Sequence, residues 1–345
     1  MVKAESLVDW CTRILVSSDV PADDARLTAQ SLVEADQRGL ASHGVAMLPL
    51  YLERIRAGSV SPTAHPTVVT DAGAIAVLDG HHGLGQVAAR EGMALAMAKA
   101  RSFGIGMVVI RHAFHFGGAY APARQAAEVG LVGVAACNTR PLMPAPGGTA
   151  RVVGNNPLAI AMPQHNAAPV VLDMAMSEAA MGKIRLAAAA GREIPETWAT
   201  DAEGRPTTDP TAAIAGMLLP AAGPKGYGLA LMIDLLTGGL AGGAVGSHVQ
   251  GLYGDRSVPY DCSHLFLAID PDVLGTQDEF SAAVAQLAHE VHASGTVQPG
   301  GRAMLPGERE QRQETQSSDD VVVDESTLTA LDALAESCGV AKVTR

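Results

Sequence analysis

The amino-acid sequence predicts an α/β protein in which helical N- and C-terminal segments surround a core of strands and helices. Two observations support this class. Apolar residues recur at three- and four-residue spacing over the first 56 positions, which is typical of amphipathic helices. From position 74 the pattern changes to short apolar runs that alternate with glycines and helical stretches, which is typical of a sheet with connecting helices.

The N-terminal segment is predicted to form three helices. Ser17, Ser18 and Pro21 supply the stop and start signals between the first two. Pro49 is tolerable because it falls near the start of the third. The three helices are predicted over residues 7–14, 25–40 and, in part, 44–56. The Pro-containing stretch that follows, 59–66, has the composition of a linker to a different architecture.

The central region is predicted to contain strands connected by helices. The strands are short apolar runs bounded by turn residues, whereas the helices are longer and periodic. The predicted strands cover residues 74–80, 105–111, 130–137, 157–163, 169–175 and 264–270. The predicted helices cover residues 86–103, 176–190, 225–240 and 279–295. Between them, residues 200–210 are rich in turn-forming types.

The C-terminal region is predicted to combine a polar segment with a final helix. Residues 307–320 are polar apart from one glycine, so we expect a mobile loop or an extended connector there. A helix is predicted over 325–338, and Gly339 is well placed to cap it. We therefore predict a helical domain formed by residues 1–65 with 307–345. Residues 66–306 would form a mixed α/β core, as one unit or two subdomains.

Composition and charge exclude several classes of protein. The net charge is −12 and the basic residues form no cluster, so nucleic acid and anionic membrane surfaces are not expected partners. The four cysteines are far apart and share no metal-ligand spacing. The N-terminus lacks the apolar stretch of a signal peptide, and the longest apolar run, 226–246, contains an Asp and many glycines. We predict a cytoplasmic protein without a disulfide framework or a metal.

Two short motifs suggest ligands but are better explained otherwise. Gly83-Leu84-Gly85-Gln86-Val87-Ala88 follows a predicted strand and opens a helix, as a dinucleotide fingerprint would. However, the next strand ends in Arg111 and not in an acidic residue, which favours close packing of helix on strand. His112 and His115 have the spacing of metal ligands, but three residues along a strand end do not put two imidazoles on one face.

Other motifs carry groups suited to acid–base chemistry or anion binding. Ser42-His43 places a hydroxyl beside an imidazole, the composition wanted for proton delivery to a carbonyl or imine, and a capping Ser beside a surface His is the alternative. His115 precedes two glycines that open a helix, where backbone N–H groups could meet an anion. Lys225 starts a helix, where a cation is disfavoured unless a phosphate, a carboxylate or a nearby Asp balances it.

The order of these motifs along the chain resembles the type-2 malate/L-lactate dehydrogenase family. This family also holds ureidoglycolate, sulfolactate and diketogulonate dehydrogenases and a piperideine-2-carboxylate reductase. The resemblance covers nearly the whole chain. It rests on SHGV at 42–45, HFGGAY at 115–120, NTRPLMPAPGG at 138–148, GNNP at 154–157, VLDMAMS at 171–177, GKI at 182–184, KGYGLAL at 225–231, HLFLAID at 264–270 and LPGERE at 305–310.

The resemblance implies a fold distinct from the Rossmann fold and a homodimer whose active site lies at the subunit interface. It implies NADH or NADPH as the cofactor, bound in the core together with a small-molecule substrate. His43, assisted by Ser42, would donate the proton, or His115 would take that role. The cofactor would contact His115, Phe116, Gly117, Gly118, Asp173, Met174, Ala175, Lys225 and Met304. The substrate would contact Met47, Tyr51, Asn155, Met181 and Gly182.

Three departures from the family pattern bear on the substrate. The family usually has arginine where this chain has Met47, Met181 and Met304. An arginine at position 47 would hold a substrate carboxylate through a bidentate pair, whereas methionine offers only adaptable apolar contact. We therefore expect a bulkier and less anionic substrate than a simple 2-keto acid, such as a ketone or imine of specialised metabolism. A scaffold adapted to a non-redox isomerisation or cyclisation, or to binding alone, is the alternative.

Overall fold

The structure is a computed structural model that describes residues 1–164, 167–297, 301–317 and 319–343. Within these ranges the strands are β1 (Val2–Lys3), β2 (Thr67–Ala72), β3 (Ile75–Asp79), β4 (Ile105–Ala113), β5 (Val132–Cys137), β6 (Met143–Pro144), β7 (Arg151–Val153), β8 (Leu158–Met162), β9 (Val170–Met174), β10 (Ala199–Thr200), β11 (Met217–Leu218), β12 (Cys262–Ile269) and β13 (Asp320–Val321). The α-helices are α1 (Ala4–Val16), α2 (Ala22–Gln37), α3 (Leu48–Arg56), α4 (Gly85–Phe103), α5 (Tyr120–Ala127), α6 (Met181–Ala189), α7 (Pro210–Ala215), α8 (Pro224–Asp234), α9 (Gln277–Ala293), α10 (Glu308–Gln316) and α11 (Glu325–Ser337).

A seven-stranded mixed sheet forms the centre of the fold, so the predicted mixed α/β class is confirmed. Its strand order is β2-β3-β4-β12-β5-β8-β9. Only β3 and β4 run parallel, and the other neighbouring pairs are antiparallel. The late strand β12 therefore lies between two earlier ones. This placement brings the ends of β4 and β12 together and positions the loop that follows β4.

Helix α4 connects the parallel strands β3 and β4 and packs on the sheet. Gly85 opens this helix, and a Cβ there would collide with the backbone of Phe114 and His115. Gly92 faces Phe266 of β12, where a Cβ would lie 2.6 Å from the ring. The glycines of the 83–88 motif thus allow close packing between helix and backbone, which is the explanation favoured from the sequence.

The N- and C-terminal segments contact each other. Strand β1 pairs with β13 through Val2 and Val321, and α10 and α11 pack against α2 and α3. The largest fully buried side chains of this region include Trp10, Arg54 and Tyr51, which are all 0% exposed. That residues 1–65 and 307–345 form a separate helical domain stays a prediction.

Two local expectations differ from the structure. The polar segment predicted as a mobile loop contains helix α10; Ser318, near its end, lies outside the described residues. This helix has no buried residue and is held by ion pairs, with Glu308 bonded to Arg312 one turn on and Glu314 to Arg38 and Arg124. Strand β2, an exposed edge strand that follows the linker, was not predicted because none of its residues is buried.

Candidate active site

Ser42 and His43 lie in a short helical turn between α2 and α3. The Ser42 hydroxyl oxygen lies 2.9 Å from Nδ1 of His43. Asp36, near the end of α2, anchors this turn because its carboxylate accepts the Val45 N–H at 2.8 Å. Position 44 must be glycine, since a Cβ there would collide with the same carboxylate. The turn is therefore held by the half-buried carboxylate of Asp36.

His115 lies in the loop after β4, and a second set of contacts holds its ring. The Tyr51 hydroxyl lies 2.7 Å from Nδ1 of His115. The side-chain amide of Gln86 donates to the same hydroxyl at 3.0 Å. The neighbouring residue Phe114 is held by His264, whose Nε2 bonds the Phe114 carbonyl at 3.0 Å. Helices α3 and α4 and strand β12 thus all contribute to the position of this loop.

The two candidate acid–base residues face each other. The rings of His43 and His115 are stacked with their centroids 5.4 Å apart and their planes 27° from parallel. Burial lowers the pKa of His43, and burial together with the charge of His43 lowers the pKa of His115 to about 3. Both imidazoles are therefore neutral near pH 7 when the site is as seen here.

The predicted cofactor residues after His115 form a tight turn against β9. Gly117 adopts φ +89°, which only glycine adopts freely. At Gly118 a Cβ would lie 2.5 Å from the Tyr120 ring, so this position also requires glycine. The Asp173 carboxylate accepts the Tyr120 N–H at 2.9 Å, while Phe116 is buried beneath the turn. The structure therefore brings the 116–118 segment and Asp173 together.

The remaining cofactor candidates lie at the end of β9 and in the segment before α10. Met174, the last residue of β9, is 37% exposed, and Ala175 follows it. The Val171 N–H donates to the Pro306 carbonyl at 3.3 Å, so the 305–307 segment runs beside this strand. Met304 precedes that contact and is 48% exposed. These residues share one edge of the sheet.

Lys225 is an exposed residue in the first turn of α8. No ion pair or hydrogen bond of its side chain is seen within the described parts of the chain. Asp209, an acid that precedes Lys225 in the chain, caps α7 by accepting the Thr211 N–H at 2.8 Å. Asp173 bonds the Tyr120 N–H. A cation at a helix start without an acidic partner is suited to an anionic ligand.

The three methionines at positions 47, 181 and 304 occupy different environments. Met47 is 4% exposed and belongs to the main hydrophobic core. Met181 packs against a second apolar cluster, and Met304 is half exposed. The Tyr253 hydroxyl lies 3.4 Å from the Met47 sulfur, and the Arg185 guanidinium lies 5.3 Å from the centre of the Tyr253 ring. Tyr253 therefore contacts both the Met47 sulfur and the Arg185 guanidinium.

Two of the other predicted substrate residues lie near Ser42 and β8. A Cβ on Gly182 would lie 3.8 Å from that of Ser42, so the start of α6 approaches the turn that carries Ser42 and His43. Asn155 accepts the Thr139 hydroxyl at 2.9 Å, which orients its amide. Tyr51 is fully buried, and its hydroxyl contacts His115. Tyr51 therefore acts on the site through that imidazole.

Three residues that shape this site were not predicted from the sequence. From the sequence, Gln86 is interpreted only as part of a glycine motif. A polar residue after two glycines at a helix start is nevertheless a usable signal of a functional side chain. Asp36 gave no signal, because an acid near the end of a helix is usually solvated. Arg185 follows GKI on α6, and nothing local indicates that it reaches Tyr253.

The two histidines with metal-like spacing point to different partners. His112 bonds the Asp79 carboxylate at 2.9 Å, whereas His115 bonds Tyr51. Across the described residues, no three His, Cys, Asp or Glu side chains are arranged to hold a metal ion. The imidazole of His115 is thus engaged in the pair with Tyr51.

The neighbouring imidazoles next to a glycine turn suit an enzyme that moves protons, and a lysine that no described residue pairs suits the binding of an anion. A sequence model of the malate/L-lactate dehydrogenase family matches residues 2–332. The chain therefore belongs to the malate/L-lactate dehydrogenase family. It is a NAD(P)-dependent dehydrogenase of that family, as the resemblance of its motifs predicted.

Similar proteins cover three quarters of the chain or nearly all of it. L-sulfolactate dehydrogenase of Methanocaldococcus jannaschii is 37% identical over 342 residues, which are 99% of this chain and 98% of that protein. (2R)-3-sulfolactate dehydrogenase (NADP(+)) of Chromohalobacter salexigens is 43% identical over 252 residues, 73% of this chain and 75% of the relative.

Solved structures confirm the predicted non-Rossmann family fold. The M. jannaschii sulfolactate dehydrogenase superposes with a TM-score of 0.92 at 36% identity and covers 98% of this chain and 97% of its own. Delta1-piperideine-2-carboxylate reductase from Pseudomonas syringae pvar. tomato superposes with a TM-score of 0.88 at 30% identity, covering 97% and 99%. No helix in the described residues is both long and apolar enough to span a membrane.

Proposed function

We propose that this enzyme transfers a hydride between NADH or NADPH and a C=O or C=N group of a small substrate, with a proton supplied by His43 or His115. One observation carries the proposal: the two imidazoles face each other at 5.4 Å. A reacting oxygen or nitrogen between the rings and the cofactor would be within reach of both. The Ser42 hydroxyl, 2.9 Å from Nδ1 of His43, orients that ring.

Several residues fit a bound dinucleotide. Gly117 and Gly118 carry no side chain, so a ligand could approach the backbone of this turn closely. Lys225 offers a cation at a helix start that no described residue pairs, and phosphate oxygens would be attracted there. The Asp173 carboxylate has a free lone-pair face for a ribose hydroxyl beyond its bond to Tyr120. The cofactor, when bound, supplies or accepts the hydride.

We propose that the substrate is not a simple 2-keto acid. Position 47 carries a buried methionine, so the carboxylate clamp expected from an arginine there is missing. One cation near this surface is Arg185, whose guanidinium lies against the Tyr253 ring. An anionic group on the substrate would therefore lie further from the reacting carbon. A ketone or cyclic imine with a distant anionic group suits this arrangement, and specialised metabolism is the proposed context.

We propose that the enzyme acts as a homodimer in the cytoplasm. The α8 helix and the helical turn after it expose a row of large apolar side chains that soluble monomers rarely leave uncovered. Their exposed fractions are Leu229 52%, Met232 50%, Leu235 48%, Leu236 48% and Leu240 52%. Because Lys225 begins the same helix, a partner subunit on this row would lie close to the cofactor residues.

A cofactor titration tests the proposed function. Purified protein is titrated with NADH and with NADPH, following the fluorescence of Trp10 and Trp198 and the emission of the nicotinamide ring. We expect saturable binding of one cofactor, weakened about tenfold or more in Lys225→Met because a phosphate contact is lost. The exposed Lys342→Met serves as the matched control. Absence of binding of both cofactors would contradict the proposal and support a non-redox role of the scaffold.

A further inference from the structure

Gln86, Tyr51 and His115 form a chain of hydrogen bonds in the interior of the site. Gln86 is 4% exposed and Tyr51 is fully buried, so water does not compete for these groups. The Gln86 amide lies 3.0 Å from the Tyr51 hydroxyl, which lies 2.7 Å from Nδ1 of His115. The three side chains come from helices α4 and α3 and from the loop after β4.

The direction of the two hydrogen bonds at the Tyr51 hydroxyl follows from the number of hydrogens available to donate. The Tyr51 hydroxyl has one hydrogen and two nearby acceptors, Nδ1 of His115 at 2.7 Å and the His115 carbonyl at 3.4 Å. The shorter contact takes the hydrogen. This requires Gln86 to present its NH₂ group to the tyrosine oxygen. The Gln86 carbonyl oxygen then has no partner, which costs less than leaving a buried NH₂ without any acceptor.

We propose that Gln86 and Tyr51 are positioning residues that hold His115 as the neutral tautomer with its proton on Nε2. Nδ1, as acceptor of the tyrosine hydrogen, carries none, so Nε2–H is left to point at the substrate. Burial lowers the pKa of His115 to about 3 and raises the pKa of Tyr51 above its usual range. Neither group therefore changes charge near pH 7.

This tautomer gives the two histidines different roles in the reaction. The assignment of these roles rests on the proposed function. During reduction the substrate carbon accepts a hydride with its two electrons, and the C=O or C=N π pair becomes a lone pair on the heteroatom. The Nε2–H of His115 stabilises the developing negative charge as a hydrogen-bond donor. The proton reaches that lone pair through His43, which takes it up from solvent and returns to its neutral form, while the nicotinamide ends oxidised. His115 is unchanged by the step.

The tautomer is measured directly by NMR of protein labelled with ¹⁵N-histidine, with the His115 signals assigned from a His115→Asn variant. We expect Nε2 of His115 to be protonated in the wild type. In Gln86→Glu the carboxylate accepts the Tyr51 hydrogen, so the proton of His115 should move to Nδ1. Carbonyl reduction should then fall about a hundredfold in kcat with little change in cofactor Kd, because an oriented donor has been lost.

Gln86→Met is the matched control, because it removes the amide while leaving the Tyr51 hydrogen free to reach His115. It should keep the Nε2–H tautomer, whereas Tyr51→Phe should give a mixture of both tautomers. Protonation of Nδ1 in the wild type, or an unchanged tautomer in Gln86→Glu and Tyr51→Phe, would overturn the proposal. The NMR readout does not depend on turnover, so failure of redox activity alone would count against the proposed function and not against the tautomer.

Discussion

Asp36 shows how the surroundings of one residue determine its chemistry. Burial raises the pKa of its carboxyl to about 7, and the bond from the Val45 N–H offsets this only in part. The same carboxylate supports the turn that carries Ser42 and His43. The protonation state of Asp36 is therefore coupled to the geometry of the turn that carries His43.

Asp36→Asn should remove a pH dependence of stability. A raised pKa means that the folded state binds this proton more tightly than the unfolded state, so the free energy of unfolding falls as pH rises from about 4 to about 7. Asparagine resembles the protonated acid and can still accept the Val45 N–H. We expect the variant to gain about 1–2 kcal/mol over wild type at pH 8 and almost nothing at pH 4.

Thermal unfolding of both proteins at the two pH values provides the measurement, and Asp9→Asn on the exposed face of α1 is the control. An equal shift at pH 4 and pH 8 would mean that the carboxyl of Asp36 titrates as it does in the unfolded chain.

Among the elements, the segment before α10 depends on one acid at the helix start. Glu308 accepts the Leu305 N–H at 3.0 Å and is bonded to His292 at 2.8 Å and Arg312 at 2.6 Å. Burial by itself would raise the pKa of Glu308, but these donors lower it to about 2. Helices α9 and α10 are thereby tied to the loop that contains Met304.

Glu308→Gln should loosen this loop without unfolding the protein. Because the amide cannot accept from three donors as a carboxylate does, we expect faster hydrogen exchange over residues 301–316. If Met304 and its neighbours contact the cofactor as proposed, the Kd for the cofactor should rise several-fold with kcat nearly unchanged at saturation.

The matched variant is Glu290→Gln, an exposed acid on α9 that bonds Gln286 on the same helix. Equal hydrogen exchange in the two variants would show that Glu308 does not order the loop. An unchanged cofactor Kd with faster exchange would remove Met304 from the proposed cofactor site.

At the scale of the whole molecule, the apolar row on α8 predicts a dimer. Covering five half-exposed apolar side chains in a partner subunit would stabilise association, at roughly 25 cal/mol for each Å² of apolar surface. We expect the wild type to sediment as a dimer and Leu236→Glu as a monomer, because the substitution places a charge in the contact.

Leu274→Glu is the control for this experiment, since Leu274 is 84% exposed and lies elsewhere on the surface. A wild-type monomer, or a Leu236→Glu dimer, would exclude this face as the subunit contact. We further expect the monomeric Leu236→Glu variant to bind the cofactor less tightly than the wild-type dimer does.

Elements with a strong local pattern were predictable. The helix predicted over 86–103 is α4, Gly85–Phe103, and the strand predicted over 264–270 is β12, Cys262–Ile269. The predicted helix over 176–190 starts later, at Met181, because residue 177 forms a bridge with Pro220. Strand β2 and helix α10 could not be predicted, because edge pairing and ion pairs stabilise them in place of a buried apolar face.

The sequence by itself determined the α/β class, most helices and strands and the family, because periodicity and ordered motifs are local properties of the chain. Only the tertiary structure decided that His43 and His115 face each other and that Gln86 reaches His115 through Tyr51. It also decided that Met47, Met181 and Met304 lie in different environments. Hydrogen-bond partners and desolvation come from residues distant in the chain, so no local pattern contains them.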